Sequence, residues 1–133
     1  MEIRPKPPTQ KAPPETFAGD AWLDPIVRGE PPSRVRVSMV RFAPGARNAW
    51  HVHAVGQTLH VTDGVGRIQA RGGDLLEIRA GDTIQTAPGE WHWHGASPEH
   101  FMTHVAIWEA PESGEETTWG NLVRDDEYLE RSQ

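Results

Sequence analysis

Turn-forming residues recur through the middle of this chain at intervals that leave room only for short strands. Between residues 33 and 108, turns are indicated at Ala43–Ala46, Asp63–Gly64, Gly72–Asp74, Ala80–Asp82 and Pro88–Gly89. Short strands separated in this way, every 8–12 residues or so, are typical of an all-β sandwich or barrel. The 13 glycines and 12 prolines among 133 residues also argue against a long helical bundle.

The most regular candidate strand is Val35–Phe42, in which successive residues alternate between two faces. A second strand region, Trp50–Val61, is interrupted at Gly56 and is expected to end at Asp63–Gly64. Later strands are predicted at Val65–Ala70, Leu75–Ile78, Thr83–Thr86, His92–His94 and Phe101–Trp108. These elements predict a β-barrel over residues 33–108, within a chain that is a single domain overall.

The segments on either side of the predicted barrel differ from it in composition. Residues 1–32 contain eight prolines, which cannot donate to a sheet. They predict an extended arm with at most short edge pairing around Phe17 or Ala21–Leu23, either mobile or packed on another surface such as a dimer partner. Residues 109–133, with eight acidic and two basic side chains, predict an acidic tail ending in a short helix. Its N-cap would be Asp125, its helix formers Tyr128–Arg131, and Trp119 and Tyr128 would dock it.

Charge and composition exclude several classes of partner. The chain has a net charge of −6 and no basic stripe, so we expect no nucleic-acid partner. No apolar run approaches the ~18 residues of a membrane span, and the N-terminal sequence lacks the apolar stretch of a secretory signal. The absence of cysteine excludes disulfides, thiolate metal sites and a cysteine nucleophile. We expect a cytoplasmic protein without a membrane partner.

Seven histidines in a chain without cysteine direct attention to imidazole chemistry. His51 and His53 are two residues apart, which places both on one face of a strand. Gln57 has the same parity beyond the kink that Gly56 allows, and His92 follows a later turn. Three imidazoles and one amide oxygen form a ligand set acceptable to Mn, Fe, Co, Ni or Zn.

The spacing of these residues also matches a known pattern. The spacing Gly45–x5–His51–x–His53–x3–Gln57–x6–Gly64 resembles the first cupin motif, with glutamine where most members have glutamate. Gly81, Pro88, Gly89 and His92 resemble the second motif, with the proline one position later than usual. The resemblance implies a cupin fold, a jelly-roll β-barrel, between the extended arm and the short C-terminal helix.

A narrower resemblance covers almost the whole chain. Stretches such as Ala49–His53, Pro88–Ala96 and Met102–Ile107 are similar to the small bacterial cupins that act as manganese-dependent hydroxynitrile lyases. The resemblance implies one divalent ion, manganese before Fe, Ni, Co or Zn, and a homodimer or higher homo-oligomer. It also implies the site residues: His51, His53, Gln57 and His92 as metal ligands, and His94 and His104 beside the metal.

Three positions depart from the pattern of that family and are expected to shape the substrate pocket. Ser38 and Val40 stand where small apolar residues are usual, and Trp108 stands where a polar residue is usual. Of the other aromatic residues, Trp50, Trp91 and Trp93 have opposite parity to the ligands and are predicted to pack between the two sheets. His60 and His100 are predicted to lie outside the site.

The expected function is that of a metal-dependent lyase acting on a small molecule, which cleaves or forms a C–C bond next to a hydroxyl or carbonyl group. In the hydroxynitrile lyase reaction, a cyanohydrin gives an aldehyde and cyanide, with His104 or His94 removing the hydroxyl proton. Because Gln57 is neutral, it would leave the ion its full formal charge of +2, which favours Lewis-acid chemistry. The alternatives are a cupin dioxygenase of the quercetinase type and a non-catalytic small-molecule-binding cupin.

Overall fold

The computed structural model describes residues 1–130, and strands dominate this part of the chain. In chain order they are β1 (Gln10–Lys11), β2 (Phe17–Ala18), β3 (Ala21–Arg28), β4 (Val35–Phe42), β5 (Arg47–Asn48), β6 (His51–His53), β7 (Gln57–Ala70), β8 (Leu76–Arg79), β9 (Thr83–Thr86), β10 (His92–Ala96), β11 (Met102–Glu109) and β12 (Thr117–Trp119). A short helix, α1 (Asp125–Tyr128), follows them. The all-β prediction with a short C-terminal helix is therefore confirmed.

Strand β7 belongs to two antiparallel sheets. Its first half pairs with β11 and β9, and its second half pairs with β10 and β8. The first sheet continues from β11 through β4 and β3 to β1, and the second continues from β10 to β5, β6 and their neighbours β2 and β12. Apolar side chains from both sheets meet in one core, with Phe42, Leu59, Val61 and Met102 fully buried.

The predicted strand end at Asp63–Gly64 is wrong, because β7 continues through it. Gly64 has a φ of 83°, in the left-handed region that favours glycine. A Cβ atom at this position would lie 2.0 Å from the carbonyl oxygen of Phe101. The glycine therefore lets β7 pass close to the segment before β11, and the strand bends between the two sheets instead of ending.

The N-terminal segment pairs more extensively than the sequence predicts. Strand β3 pairs with β4 from Ala21 to Arg28, not only around Ala21–Leu23. Pro25 is tolerated because the register shifts between Pro25 and Val27, so the ladder is already interrupted there. Ala12, Phe17 and Ala21 belong to the core of their own chain. This part of the arm thus packs on its own barrel.

A second apolar cluster lies on the other face of the second sheet. Trp93 alternates with His92 and His94 along β10, so it points away from the face that carries those histidines. It is fully buried against Val123 and Tyr128, with its ring 5.7 Å from the tyrosine ring. The prediction that the tryptophans pack between the sheets is therefore wrong for Trp93, since opposite parity puts it outside the barrel.

The other two tryptophans of that prediction also lie apart from the main core. The guanidinium of Arg71, which is exposed, lies 5.5 Å from the ring of Trp50 and 4.7 Å from the ring of Trp91. Trp50 packs against the second cluster, and both rings are only half-buried. A side chain that stacks on an exposed guanidinium lies at the outer surface, so the expected position between the sheets is wrong here too.

The C-terminal segment is fixed to the barrel by polar contacts as well. Arg47 donates to the carbonyl oxygen of Val123 and pairs with Asp125, both at 2.7 Å. Tyr128 donates its hydroxyl proton to the carbonyl oxygen of Ala96, in agreement with its predicted docking role. The N-cap is Arg124, not Asp125, because the Arg124 amide donates to the Glu127 carboxylate at 3.0 Å. Of the predicted helix formers, Arg131 lies outside the described residues, as do positions 132–133 of the predicted tail.

Within residues 1–130, no helix has both the length and the apolar character that crossing a membrane requires.

Candidate metal centre and its pocket

Three histidine side chains converge on the inner face of the second sheet. His51 on β6 and His92 on β10 are direct cross-strand partners, and His53 lies two residues further along β6 on the same face. All three are buried, and one ring nitrogen of each lies within 4.8 Å of the others. This spacing is close to that of ligands around a single ion, so the triad could hold a metal.

Hydrogen bonds orient the three rings. The Nδ1 of His51 lies 2.8 Å from the carbonyl oxygen of Ala49, and the Nδ1 of His92 lies 2.9 Å from that of Glu90. In both rings Nδ1 therefore carries the proton and donates it, which leaves the lone pair on Nε2. The Nδ1 of His53 is 3.1 Å from the hydroxyl of Thr117.

The surroundings of the Nε2 of His53 show whether a cation fits among the three rings. It is buried and has no hydrogen-bond partner among the described residues. An unsatisfied buried polar atom costs about 1–3 kcal/mol, and coordination to a cation would remove that cost. The residues present therefore fit a divalent metal ion held by the Nε2 atoms of His51, His53 and His92.

Gln57 lies next to this triad. Its side-chain oxygen is 3.5 Å from the Nε2 of His92, and the residue is buried. The glycine before it, Gly56, has a φ of 81°, and a Cβ atom there would lie 2.6 Å from the carbonyl oxygen of Thr86. This close approach turns the chain from β6 into β7 and brings Gln57 to the histidines. Its part as a fourth ligand stays a prediction.

The three imidazoles are neutral at neutral pH. Burial lowers the pKa of His51 well below its usual value and lowers that of His92. Burial and the neighbouring His92 lower the pKa of His53 to about 4. Because only a neutral imidazole has a lone pair to give, the folded protein holds the triad ready for a cation.

Two further histidines form a hydrogen-bonded pair beside the triad. His94 follows His92 by two residues on β10, and His104 lies on β11 where its register with β7 shifts between Thr103 and His104. Such an irregularity redirects a side chain. The Nε2 of His104 is 2.9 Å from the Nδ1 of His94, and both side chains are buried. The sequence-predicted acid–base residues are therefore in direct contact.

The pair is also neutral, and its two outer ring nitrogens have different surroundings. Burial lowers the pKa of His104 to about 4, and burial together with His104 lowers that of His94 well below its usual value. Two neutral imidazoles carry two N–H groups and two bare nitrogens. Their mutual hydrogen bond uses one of each. Of the two remaining nitrogens, the Nε2 of His94 lies beside the amide nitrogen of Asn48, and the Nδ1 of His104 is buried without a hydrogen-bond partner among the described residues.

Three residues that contact the histidines could not be predicted as site residues from the sequence. Asn48 accepts a hydrogen bond from the backbone N–H of His94 at 2.9 Å, and its amide nitrogen lies 3.1 Å from the Nε2 of the same ring. Thr117 contacts His53, and the ring of Trp119 lies 4.7 Å from that of His51. Asn48 and Thr117 carry no motif or spacing that could have marked them. Trp119 was assigned to docking because it lies in the acidic tail.

A small cavity of about 160 Å³ connects the two histidine groups. Its lining includes His51, His53 and Gln57 from the metal centre and both His94 and His104. The remaining wall is mainly apolar and includes Ser38, Val40 and Trp108, together with Phe17, Leu23 and Trp119. The structure thus places the three sequence-predicted pocket residues around one cavity, and the N-terminal and C-terminal segments complete it.

The remaining histidines lie apart from the cavity. His60 is exposed, and its Nδ1 lies 2.9 Å from the hydroxyl of Thr83. His100 is also exposed, in the loop before β11. Both positions agree with the expectation that these two residues do not belong to the site.

A barrel of two antiparallel sheets with a histidine triad on the inner face of one sheet defines a cupin. The family model described as the cupin domain matches residues 38–105. The chain therefore belongs to the cupin family. Its sequence is 45% identical over 118 residues to the protein named (R)-mandelonitrile lyase of Granulicella tundricola, and the match covers 89% of each chain.

Solved structures agree with this assignment. A cupin-like protein of Thermotoga maritima superposes with a TM-score of 0.85 and 32% identity, over 96% of this chain and 95% of the other. A predicted oxalate decarboxylase of the same organism has a TM-score of 0.69 at 17% identity, over 77% of this chain and 92% of the other. At that lower identity the likeness shows the fold alone.

Proposed function

We propose that this cupin is a metal-dependent lyase that cleaves a cyanohydrin to an aldehyde and hydrogen cyanide, and that also forms the cyanohydrin in reverse. The observation that carries the proposal is the His94–His104 pair, which lines the same small cavity as His51 and His53. A proton-transfer group and a cation site are thereby adjacent. The 45% identity to a protein named (R)-mandelonitrile lyase supports the substrate class.

His51, His53 and His92, with the side-chain oxygen of Gln57, would hold the ion. A bound divalent cation would supply Lewis acidity and positive charge in a small, mainly apolar cavity. The protein part of the site is electrically neutral, because three imidazoles and one amide carry no charge. A glutamate in place of Gln57 would cancel one unit of the charge of the ion, so the neutral residue preserves its full effect.

The histidine pair would move the proton. As the C–CN bond breaks, its electron pair leaves with cyanide, the carbon–oxygen bond becomes a carbonyl, and the hydroxyl proton passes to an unprotonated ring nitrogen of the pair. The imidazolium that results can return a proton to cyanide, which then leaves as hydrogen cyanide. Because the pKa of His104 is about 4, the pair is unprotonated at neutral pH, and the imidazolium that forms gives its proton up readily.

The cavity limits the size of the substrate. Its volume of about 160 Å³ is below the ~300–1,000 Å³ of sites for drug-sized ligands and close to a ~150 Å³ cavity that holds one benzene ring. The mainly apolar wall that includes Val40, Trp108 and Trp119 suits an aromatic or aliphatic group. A small cyanohydrin such as mandelonitrile has this combination of one ring and a short polar group.

The test combines elemental analysis with chelation. The purified protein is analysed for metal, assayed for mandelonitrile cleavage, treated with a chelator, assayed again and then reloaded with Mn²⁺. We expect a divalent metal bound to the protein, loss of cleavage on chelation and recovery on reloading. Equal activity of chelated and reloaded protein would overturn the metal-dependent mechanism, and absence of cleavage in both would overturn the proposed reaction.

The same preparation checks the other parts of the proposal. Manganese as the resident metal is tested by elemental analysis, and assembly into a homodimer or larger oligomer is tested by light scattering. Consumption of oxygen with flavonols and other enols, measured with an oxygen electrode, would point instead to a dioxygenase. A metal-replete protein that is inert to cyanohydrins, enols and oxygen, but is thermally stabilised by a small molecule, would point to a binding protein.

A further inference from the structure

The three histidines of the triad are not oriented in the same way. His51 and His92 each donate from Nδ1 to the backbone carbonyl oxygen two residues earlier, at Ala49 and Glu90. Their tautomers are therefore set by their own strands and turns. His53 instead depends on the side chain of Thr117, which is 64 residues away in the sequence.

The position of Thr117 is fixed by the short strand β12. Thr117 is the direct cross-strand partner of His53, and Trp119 is that of His51. The residue before it, Glu116, accepts hydrogen bonds from the Ala54 amide at 3.1 Å and from the Trp108 indole at 2.9 Å. The hydroxyl oxygen of Thr117 is thus held 3.1 Å from the Nδ1 of His53, within reach to accept a proton from it.

We propose that Thr117 is a positioning residue for the metal centre, which keeps the proton of His53 on Nδ1 and so keeps Nε2 free for the ion. The inference rests on the metal-binding part of the proposed function, not on the cyanohydrin reaction. The buried Nε2 of His53 has no hydrogen-bond partner among the described residues, so no protein group competes with an ion for its lone pair. Without the hydroxyl, the proton can move to Nε2, and that nitrogen then offers no lone pair to a cation.

Thr117 lies outside residues 38–105, which match the cupin family model. The segment after β11, predicted to be an acidic tail, therefore supplies a group that acts on a ligand of the barrel. By this inference, metal affinity depends on whether β12 is docked against β6.

The experiment compares Thr117→Val, Thr117→Ser and Thr118→Val. Valine keeps the shape and strand preference of threonine without the hydroxyl, whereas serine keeps the hydroxyl. Thr118 is the matched control, because it lies in the same strand, is exposed and has its hydroxyl 3.3 Å from Glu115. Affinity for Mn²⁺ is measured by competition with a chelating dye, without any assay of activity.

We expect Thr117→Val to bind Mn²⁺ about 10- to 100-fold more weakly, the usual cost of losing a partner of a metal-bound histidine, and Thr117→Ser to stay within about threefold. Thr118→Val should bind as the unaltered protein does. Unchanged affinity in Thr117→Val would overturn the inference, as would an equal loss in Thr118→Val.

A second measurement needs no metal. In metal-free protein, long-range ¹H–¹⁵N NMR distinguishes the two tautomers of an imidazole. We expect the Nδ1–H form of His53 in the unaltered protein and in Thr117→Ser, and a shift toward the Nε2–H form in Thr117→Val. The same tautomer in all three would overturn the inference. If the three proteins show the expected tautomers but the unaltered, metal-loaded protein does not cleave mandelonitrile, the proposed reaction alone would be wrong.

Discussion

The two groups of buried histidines in this barrel differ in what their ring nitrogens contact. In the triad, each Nδ1 is held by an oxygen atom, and the Nε2 of His53 faces no protein partner. In the pair, His94 and His104 bond to each other at 2.9 Å. The triad thus presents lone pairs to one point, whereas the pair shares a proton. The same residue type is prepared for a cation in one place and for proton transfer a few ångströms away.

Burial has the same electrostatic effect on both groups, so the difference between them comes from hydrogen bonding. The pKa of His53 in the triad and that of His104 in the pair are both lowered to about 4. The charge of an imidazole therefore does not distinguish a metal ligand from a proton acceptor in this site. The partner of each nitrogen makes the distinction, and substitutions that act on one group should therefore leave the other intact.

The largest effect should come from breaking the triad with His51→Ala. Loss of one of three imidazole ligands should reduce metal affinity by more than the ~10- to 100-fold that follows loss of a hydrogen-bond partner of a ligand, and cleavage of mandelonitrile should fall with it. Elemental analysis and the cleavage assay measure the two effects. The control is His60→Ala, which removes an exposed histidine. Full metal content in His51→Ala would contradict the assignment of the triad.

Breaking the pair with His104→Ala should separate chemistry from metal binding. We expect metal content to be retained and the rate of cleavage to fall about 100- to 10,000-fold, the usual contribution of a general base. Rates are compared at equal metal occupancy. If this variant loses its metal along with its activity, metal binding depends on the pair as well as on the triad. The two groups would then not have separate roles.

The pH dependence of stability tests the property that the two groups share, namely the lowered pKa of their buried histidines. Since the folded-state pKa of the buried histidines is lowered, the unfolded chain binds more protons below about pH 6.5. The stabilisation that comes from keeping these histidines neutral should therefore be fully present above pH 6.5 in metal-free protein. The free energy of unfolding should fall as the pH drops toward 4. His104 alone accounts for about 3 kcal/mol of this loss. Denaturant unfolding at several pH values measures it, and a flat profile from pH 7 to 4.5 would refute the neutral state.

The smallest effect is expected from Gln57→Glu, which keeps the size of the side chain and adds a negative charge beside the triad. Metal should bind at least as tightly, but cleavage by metal-replete protein should slow about 10- to 100-fold because the positive charge at the substrate oxygen is reduced. Gln85→Glu, at an exposed position of β9, adds the same charge elsewhere. Full activity in Gln57→Glu would show that the neutral residue has no catalytic importance.

Much of the barrel and all three histidines of the triad could be predicted from local sequence patterns. The alternation in Val35–Phe42 and the parity of His51 and His53 follow from the two-residue period of a strand. Parity also predicts that Trp93 and His92 lie on opposite faces. It does not show which surface covers the outer face, so the packing of Trp93 on Tyr128 could not be predicted.

The sequence by itself determined the fold class, the metal-ligand candidates and the two histidines beside them, because spacing along a strand sets which side chains share a face. Only the tertiary structure decided that Phe17 and Leu23 close the cavity, that His94 bonds to His104, and that Thr117 holds His53. These contacts join residues on different strands, whose register depends on the bends at Gly56 and Gly64 and on the shift beside His104. No local pattern encodes that register, since it results from packing the two sheets around one core.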